Sequence, residues 1–218
     1  SANGQAAEVW VTTLVATGAG ALGWLLVERI RDGHATSLGA ASGVVAGLVA
    51  ITPSCSSVSP VGAIIVGALA GVICALAVGL KYKFGFDDSL DVVGVHLFGG
   101  LWGTLAVGFL ATEAAPAGVN GLFYGGGLDQ LWRQAVGAFS VLAFSLVLTL
   151  LIGLLLHKTI GFRVREEQEH AGVDESEHAE TSYDLGTFAA GARGLSYAGS
   201  TPSQVEEDTK KNGQEVSA

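Results

Sequence analysis

Charge is what this 218-residue sequence has least of: only 14% of its side chains are Asp, Glu, Lys or Arg, against roughly 25% in soluble domains. That shortfall disfavours an ordinary soluble enzyme domain. A basic excess is missing too, since the net charge is −9, and without one a nucleic-acid partner has no electrostatic footprint. Two cysteines, Cys55 and Cys74, are too few for a disulfide scaffold, and no Cys or His pair has zinc-site spacing. No nucleophile motif, phosphate loop or dinucleotide fingerprint is present, and Gly125-Gly126-Gly127 reads as a flexible linker. Nothing in these residues argues for a chemical reaction, so we expect no enzyme, no metal and no cofactor.

What the chain does have is uncharged apolar runs of bilayer length, where roughly 20 helical residues suffice to cross. Val9 to Val27, Val61 to Leu80, Val92 to Ala111 and Gln134 to His157 are such runs, and a shorter one covers Ser37 to Thr52 before Pro53. The fold class expected is therefore all-α, a polytopic membrane helix bundle with five spans at about 7–28, 37–53, 60–82, 89–111 and 131–157. The first and third connections carry Arg29, Arg31, Lys81 and Lys83, and Lys158, Arg163 and Arg165 follow the last span. The second and fourth connections carry no Lys or Arg; Arg133 alone falls on the wrong side. Because cytoplasmic loops hold the Lys and Arg excess, the start of the chain is expected outside the cell membrane and its C-terminus in the cytoplasm.

The chain opens Ser-Ala-Asn-Gly, without Met and without a signal-peptide pattern. We expect it to be the back part of a longer protein, or a processed or incomplete one. Residues 162–218 hold 12 acidic and 5 basic side chains, so most of the negative charge sits on a tail after a membrane domain spanning 1–161. Within that tail, the Gly-, Ser- and Thr-rich stretch at 186–218 reads as disordered.

Inside the spans, Gly recurs every fourth residue: Gly39, Gly43 and Gly47, then Gly67 and Gly71, then Gly99 and Gly103. Small residues at that interval share a helix face and let two backbones approach closely, which in lipid replaces apolar burial as the source of association. Trp24, Trp102 and Trp132 read as interface anchors. His96 is the titratable residue that stands well inside a span, and its position favours a pore-lining imidazole over a structural histidine bonded to a carbonyl. Neutral imidazole carries one donor and one acceptor, so it passes a hydrogen bond along without holding charge. Asp87, Asp88 and Asp91 precede it, suited to capping N–H groups at a helix start, with Asp91 placed to bond a neighbouring helix end. Thr52, just before Pro53, either satisfies a freed carbonyl or faces a vestibule.

The runs Gly20-Ala-Leu-Gly-Trp24, Gly39 to Pro53, Asp87-Asp88-x-x-Asp91-Val-x-Gly94-Val-His96 and Gly99-Gly100-x-x-Gly103 resemble the ammonium transporter family, Amt/Mep/Rh, collinearly to about Tyr183. The resemblance implies the last five of eleven helices in a homotrimer with one pore per subunit. It also implies that ammonium is recruited outside, loses its proton, and crosses as ammonia past paired imidazoles. By that likeness His96 matches the second imidazole and Thr52 the threonine near the pore. The first imidazole and the recruitment residues would lie before Ser1. Residues 162–185 resemble the family's cytoplasmic regulatory tail, with Gly161 as its hinge, Ala179 where Gly is usual, and a PII-type regulator as a possible partner. Membrane lipid is the surrounding partner. An ammonium sensor and an inactive fragment are the alternatives.

Overall fold

The computed structural model describes residues 2–180; the C-terminal stretch at 186–218, and 181–185 before it, lie outside them. The chain divides into two compact units, Ser1–Leu151 and Ile152–Ala218. All named elements are helical. In order they are α1 (Gly4–Arg31), α2 (Ser37–Ile51), α3 (Pro60–Ala77), the short α4 (Leu80–Phe84), a π-turn (Val93–Leu97) running into α5 (Phe98–Leu110), a 3₁₀ turn (Leu122–Tyr124), α6 (Asp129–Thr159), α7 (Glu166–Ala171) and α8 (Val173–His178).

The helix starts follow from local chemistry. Asn3, Thr36 and Ser59 are the N-caps of the first three helices, their side-chain oxygens accepting the N–H groups of Ala6, Gly39 and Gly62. Pro60 stands in the first turn of α3, where its missing N–H costs nothing. Among the described residues, four stretches are long and apolar enough to cross a membrane: Gly4–Arg31, Pro60–Phe84, Val93–Leu110 and Asp129–Thr159. The second of these is not one regular helix, because α3 ends at Ala77 and α4 resumes at Leu80. α2, at 15 residues, is shorter.

In the first unit α1 packs against both α2 and α3, and α5 against α2 and α3. These crossings run through glycine. A β-carbon on Gly20 would stand 2.5 Å from the Gly43 carbonyl oxygen, and one on Gly47 would stand 2.5 Å from that of Ala16. On α3, Gly67 and Gly71 meet the carbonyls of Ala16 and Gly20 still more closely, and Gly103 of α5 meets the Ala50 carbonyl. No side chain larger than hydrogen fits at such contacts, so dispersion between the backbones themselves holds the helices. Ala16, Ala50, Ile51, Val66, Ala70 and Ala106 fill the space around them. Gly39 and Gly99 are less constrained by backbone: the first meets the Glu28 carboxylate, the second the Cys74 sulfur and Val49 at 3.3 Å.

Two tryptophans expected as interface anchors are instead tied inside the bundle. Trp24 is 6% exposed and donates to Glu28 Oε1 at 3.2 Å, while Trp102 donates to the Val66 carbonyl at 2.9 Å. An indole N–H turned inward must find an acceptor, and in both cases an inward acceptor lay within reach. Trp132 is exposed.

The connections gather at two ends. At one, Val58 bridges Ala111, and the N–H groups of Thr112 and Ala117 donate to Ser57 and Ser56. At the other, Arg31 Nη1 donates to the Ala75 carbonyl at 3.1 Å, and Arg31, Asp32, Lys81 and Asp91 line one cavity. In the second unit, α7 and α8 pack together, and Gln168 donates to Glu177 at 2.7 Å. Gly161, at φ +87°, ends α6, its N–H donating back to Leu156. Ala179 stands at φ +55°, so the left-handed turn is kept although the residue carries a β-carbon.

Candidate functional site

Gly85, at φ +69°, ends α4 and turns the chain toward the segment of three aspartates. Asp88 starts the next helix: its carboxylate accepts the N–H groups of Val92 and Val93 at 2.7 and 2.9 Å. Asp91 stands at φ +58° and pairs with Lys81 Nζ at 2.7 Å. Asp87 precedes them in the same segment. The helix then winds as a π-turn from Val93 to Leu97, a form found mostly as single turns and often at functional sites.

The back of this turn is anchored to α3. Gly94 lies against Val78, and the Cys74 thiol donates to the Val95 carbonyl at 3.6 Å. The front is open. His96 is exposed, and with Leu97, Gly100 and Thr104 it lines a cleft of about 460 Å³. The opposite wall comes from α6, where Gln134, Gly137, Val141 and Ser145 repeat at helical spacing. Thr104 has turned its hydroxyl back to the Gly100 carbonyl at 2.8 Å. The imidazole is thus a hydrogen-bonding side chain at the edge of a predominantly apolar cleft.

Thr52 is not among the residues lining this cleft. It stands exposed just past the end of α2 and donates its hydroxyl to the Leu48 carbonyl at 2.7 Å, the same carbonyl that accepts its N–H at 3.3 Å. The cleft therefore gathers His96 with Gly100 and Thr104, while Asp88 and Asp91 set its helix and Thr52 lies apart.

Glu28 is the residue that sequence reasoning passed over. It is 8% exposed near the end of α1, where its carboxylate accepts Trp24 Nε1, the Thr36 N–H at 2.8 Å and the Thr36 hydroxyl. A buried charge is tolerated when it is hydrogen-bonded in this way, and here it joins α1 to the cap of α2. The signal was present as Trp24-x-x-x-Glu28, an acid one helical turn from an indole in an apolar helix. Just past the end of α1, the Asp32 carboxyl is held below the usual carboxylate range by its hydrogen bond from the Arg31 guanidinium.

Long apolar helices crossing on glycine, with bonded loops at both ends and an imidazole facing an apolar cleft, define a polytopic α-helical membrane protein. Comparison with known proteins narrows this. The chain belongs to the Ammonium Transporter Family, whose description matches residues 1–183. It is 65% identical over 191 residues to the ammonium transporter of Mycobacterium tuberculosis, covering 85% of this chain and 40% of that protein. Among solved structures it resembles Candida albicans Mep2, with 30% identity and a TM-score of 0.68 over 75% of this chain and 38% of the other. It also resembles a protein described as a sensor Amt protein, with 28% identity and a TM-score of 0.71 over 80% and 42%. The chain thus spans about 40% of the length of the curated relatives it matches.

Proposed function

We propose that this chain is the His96-bearing part of an ammonium transporter, its five helices being the last five of eleven. Ammonium is recruited outside, gives up its proton, and passes as ammonia along the cleft that His96 lines. The observation that carries this reading is His96 itself, exposed on a π-turn whose front opens on a mainly apolar cleft of about 460 Å³. A cation entering so apolar a passage loses its hydration at high cost, so the neutral form crosses more readily. The imidazole then offers that form a donor and an acceptor in turn.

Asp88 and Asp91 serve that helix as cap and anchor, Asp87 lies beside them, and Thr52 closes α2 near the outer mouth. Gly39, Gly43, Gly47, Gly99 and Gly103 are the packing positions of a membrane domain covering 1–161. The end holding Arg29, Arg31, Lys81 and Lys83 faces the cytoplasm of a multi-pass cell-membrane protein. There residues 162–185, after the hinge at Gly161, form a regulatory tail under a neighbouring subunit of a homotrimer, where a PII-type protein docks.

Methylammonium uptake by the whole transporter tests the reading. His96→Ala removes about 1–3 kcal/mol of hydrogen bonding from the path, roughly ten- to a hundredfold in flux. Unchanged flux and selectivity would overturn the pore role. The likeness to the sensor Amt protein favours a second reading, in which the same fold binds ammonium and signals. Binding without flux in vesicles would establish it, while full flux from the 218-residue chain alone would exclude an inactive fragment.

A further inference from the structure

The helix that carries His96 begins with backbone that does not hold itself. Asp91 stands at φ +58°, a left-handed conformation that a residue with a β-carbon keeps only where its surroundings hold it. Two residues later the chain is wound as a π-turn rather than an α-turn. Two departures from relaxed backbone in close succession call for an external clamp.

Lys81 of α4 supplies it. Its ammonium donates to Asp91 Oδ1 at 2.7 Å and to the Asp88 carbonyl at 3.0 Å. The same carbonyl accepts the Asp91 N–H at 3.2 Å. Lys81 is only 15% exposed along its side chain, so solvent and salt screen the pair less than a surface contact. Other charged groups line the same cavity of about 430 Å³ but are directed elsewhere. Arg31 holds Asp32 and the Ala75 carbonyl, and Glu28 holds Trp24 and Thr36.

We propose that Lys81 is a positioning residue for His96: by gripping Asp88 and Asp91 it fixes the rotation at which the π-turn presents the imidazole to the cleft. The proposal rests on the reading of His96 as part of the conduction path. Without the ammonium, Asp91 keeps its backbone bonds to the Asp88 carbonyl and from the Val95 N–H but loses the side-chain grip, and its backbone relaxes toward the right-handed region. The first turn then rewinds, and residues 92–97 rotate about the helix axis, carrying His96 off the stripe it shares with Gly100 and Thr104. The helix itself survives, because the Asp88 carboxylate still caps Val92 and Val93. Loss of Lys81 therefore changes where the imidazole points rather than whether the helix forms.

The test uses the whole transporter with two readouts, methylammonium uptake per amount of protein in the membrane and labelling of His96→Cys by a charged thiol reagent. Cys55→Ser removes the accessible thiol of this chain, since Cys74 is fully buried, and labelling of the same background with His96 intact is subtracted. Lys81→Met should lower uptake by roughly tenfold, the scale of a displaced reactive group, and shift the labelling rate by a similar factor at an unchanged protein level. Lys81→Arg, which keeps the charge and its donors, should retain both. Wild-type uptake and labelling in Lys81→Met would overturn the proposal. If that variant fails to reach the membrane, Lys81→Gln takes its place and the same two readouts decide. Normal uptake by His96→Ala would sink the conduction reading alone, because labelling at position 96 reports orientation whatever species is transported.

Discussion

The two long helices α1 and α6 are built from similar apolar residues and behave oppositely. α1 is crossed by α2 and α3 at glycines, with Ala16 and Gly20 touching backbone on both neighbours. α6 buries none of its 31 residues, and its Gly137 and Gly153 meet nothing within 4 Å. The difference teaches that apolarity alone places a helix in a membrane, whereas small residues aligned with a partner's backbone decide which helices lock. A locked crossing gives a scaffold. α6 meets such a crossing near its start, where Gly108 of α5 lies against Leu131, and beyond that contact the cleft before His96 opens between α5 and α6.

The sharpest way to break this contrast is to add bulk on both sides of it. Gly67→Leu drives a side chain into the Ala16 backbone and should cost about 3 kcal/mol, seen as loss of folded protein on heating in detergent. Gly153→Leu should cost nothing and gain up to about 1 kcal/mol of helix propensity. An equal loss at both positions would mean that another part of the membrane assembly covers α6. Next in size, Glu28→Ala strips acceptors from Trp24 and Thr36 and should destabilise the α1–α2 junction by about 2 kcal/mol, read by the same melt; Glu28→Gln, which keeps one acceptor, should lose less. The smallest effect belongs to the tail. Ala179→Gly relieves a left-handed residue and should stabilise the end of α8 by about 1 kcal/mol, visible as slower amide exchange at Glu180.

Much of the helical architecture was legible from run length alone, because uncharged stretches of about 20 residues have few other uses. The glycine triplet at 39, 43 and 47 announced a packing face, but its partners on α1 did not stand out. Ala16 and Gly20 are four apart with an alanine at one end, so they fall outside any search for glycine pairs. The π-turn was invisible: Val93-Gly-Val-His-Leu97 is as apolar as any α-helical turn, and what widens it lies in contacts made by Lys81, Cys74 and Val78 from outside the segment. Lys81 itself counted only as a charge marking a side of the membrane. Glu28 was hidden for the opposite reason, since an acid near a span's end looks like a loop residue until the indole one turn earlier is seen to face it.

The 15 residues of α2 rise about 22 Å, some 8 Å less than the roughly 30 Å of hydrocarbon in a bilayer. The missing depth is filled by the turns from Thr52 to Ser59, whose backbone is bonded within the protein, Ser54 N–H to Ile51 and Ser57 N–H to Ser54. Irregular backbone at that level is tolerated where protein or water satisfies it. α2 therefore has no need to reach a bilayer's full depth as helix, because the turn that continues it already satisfies its own backbone.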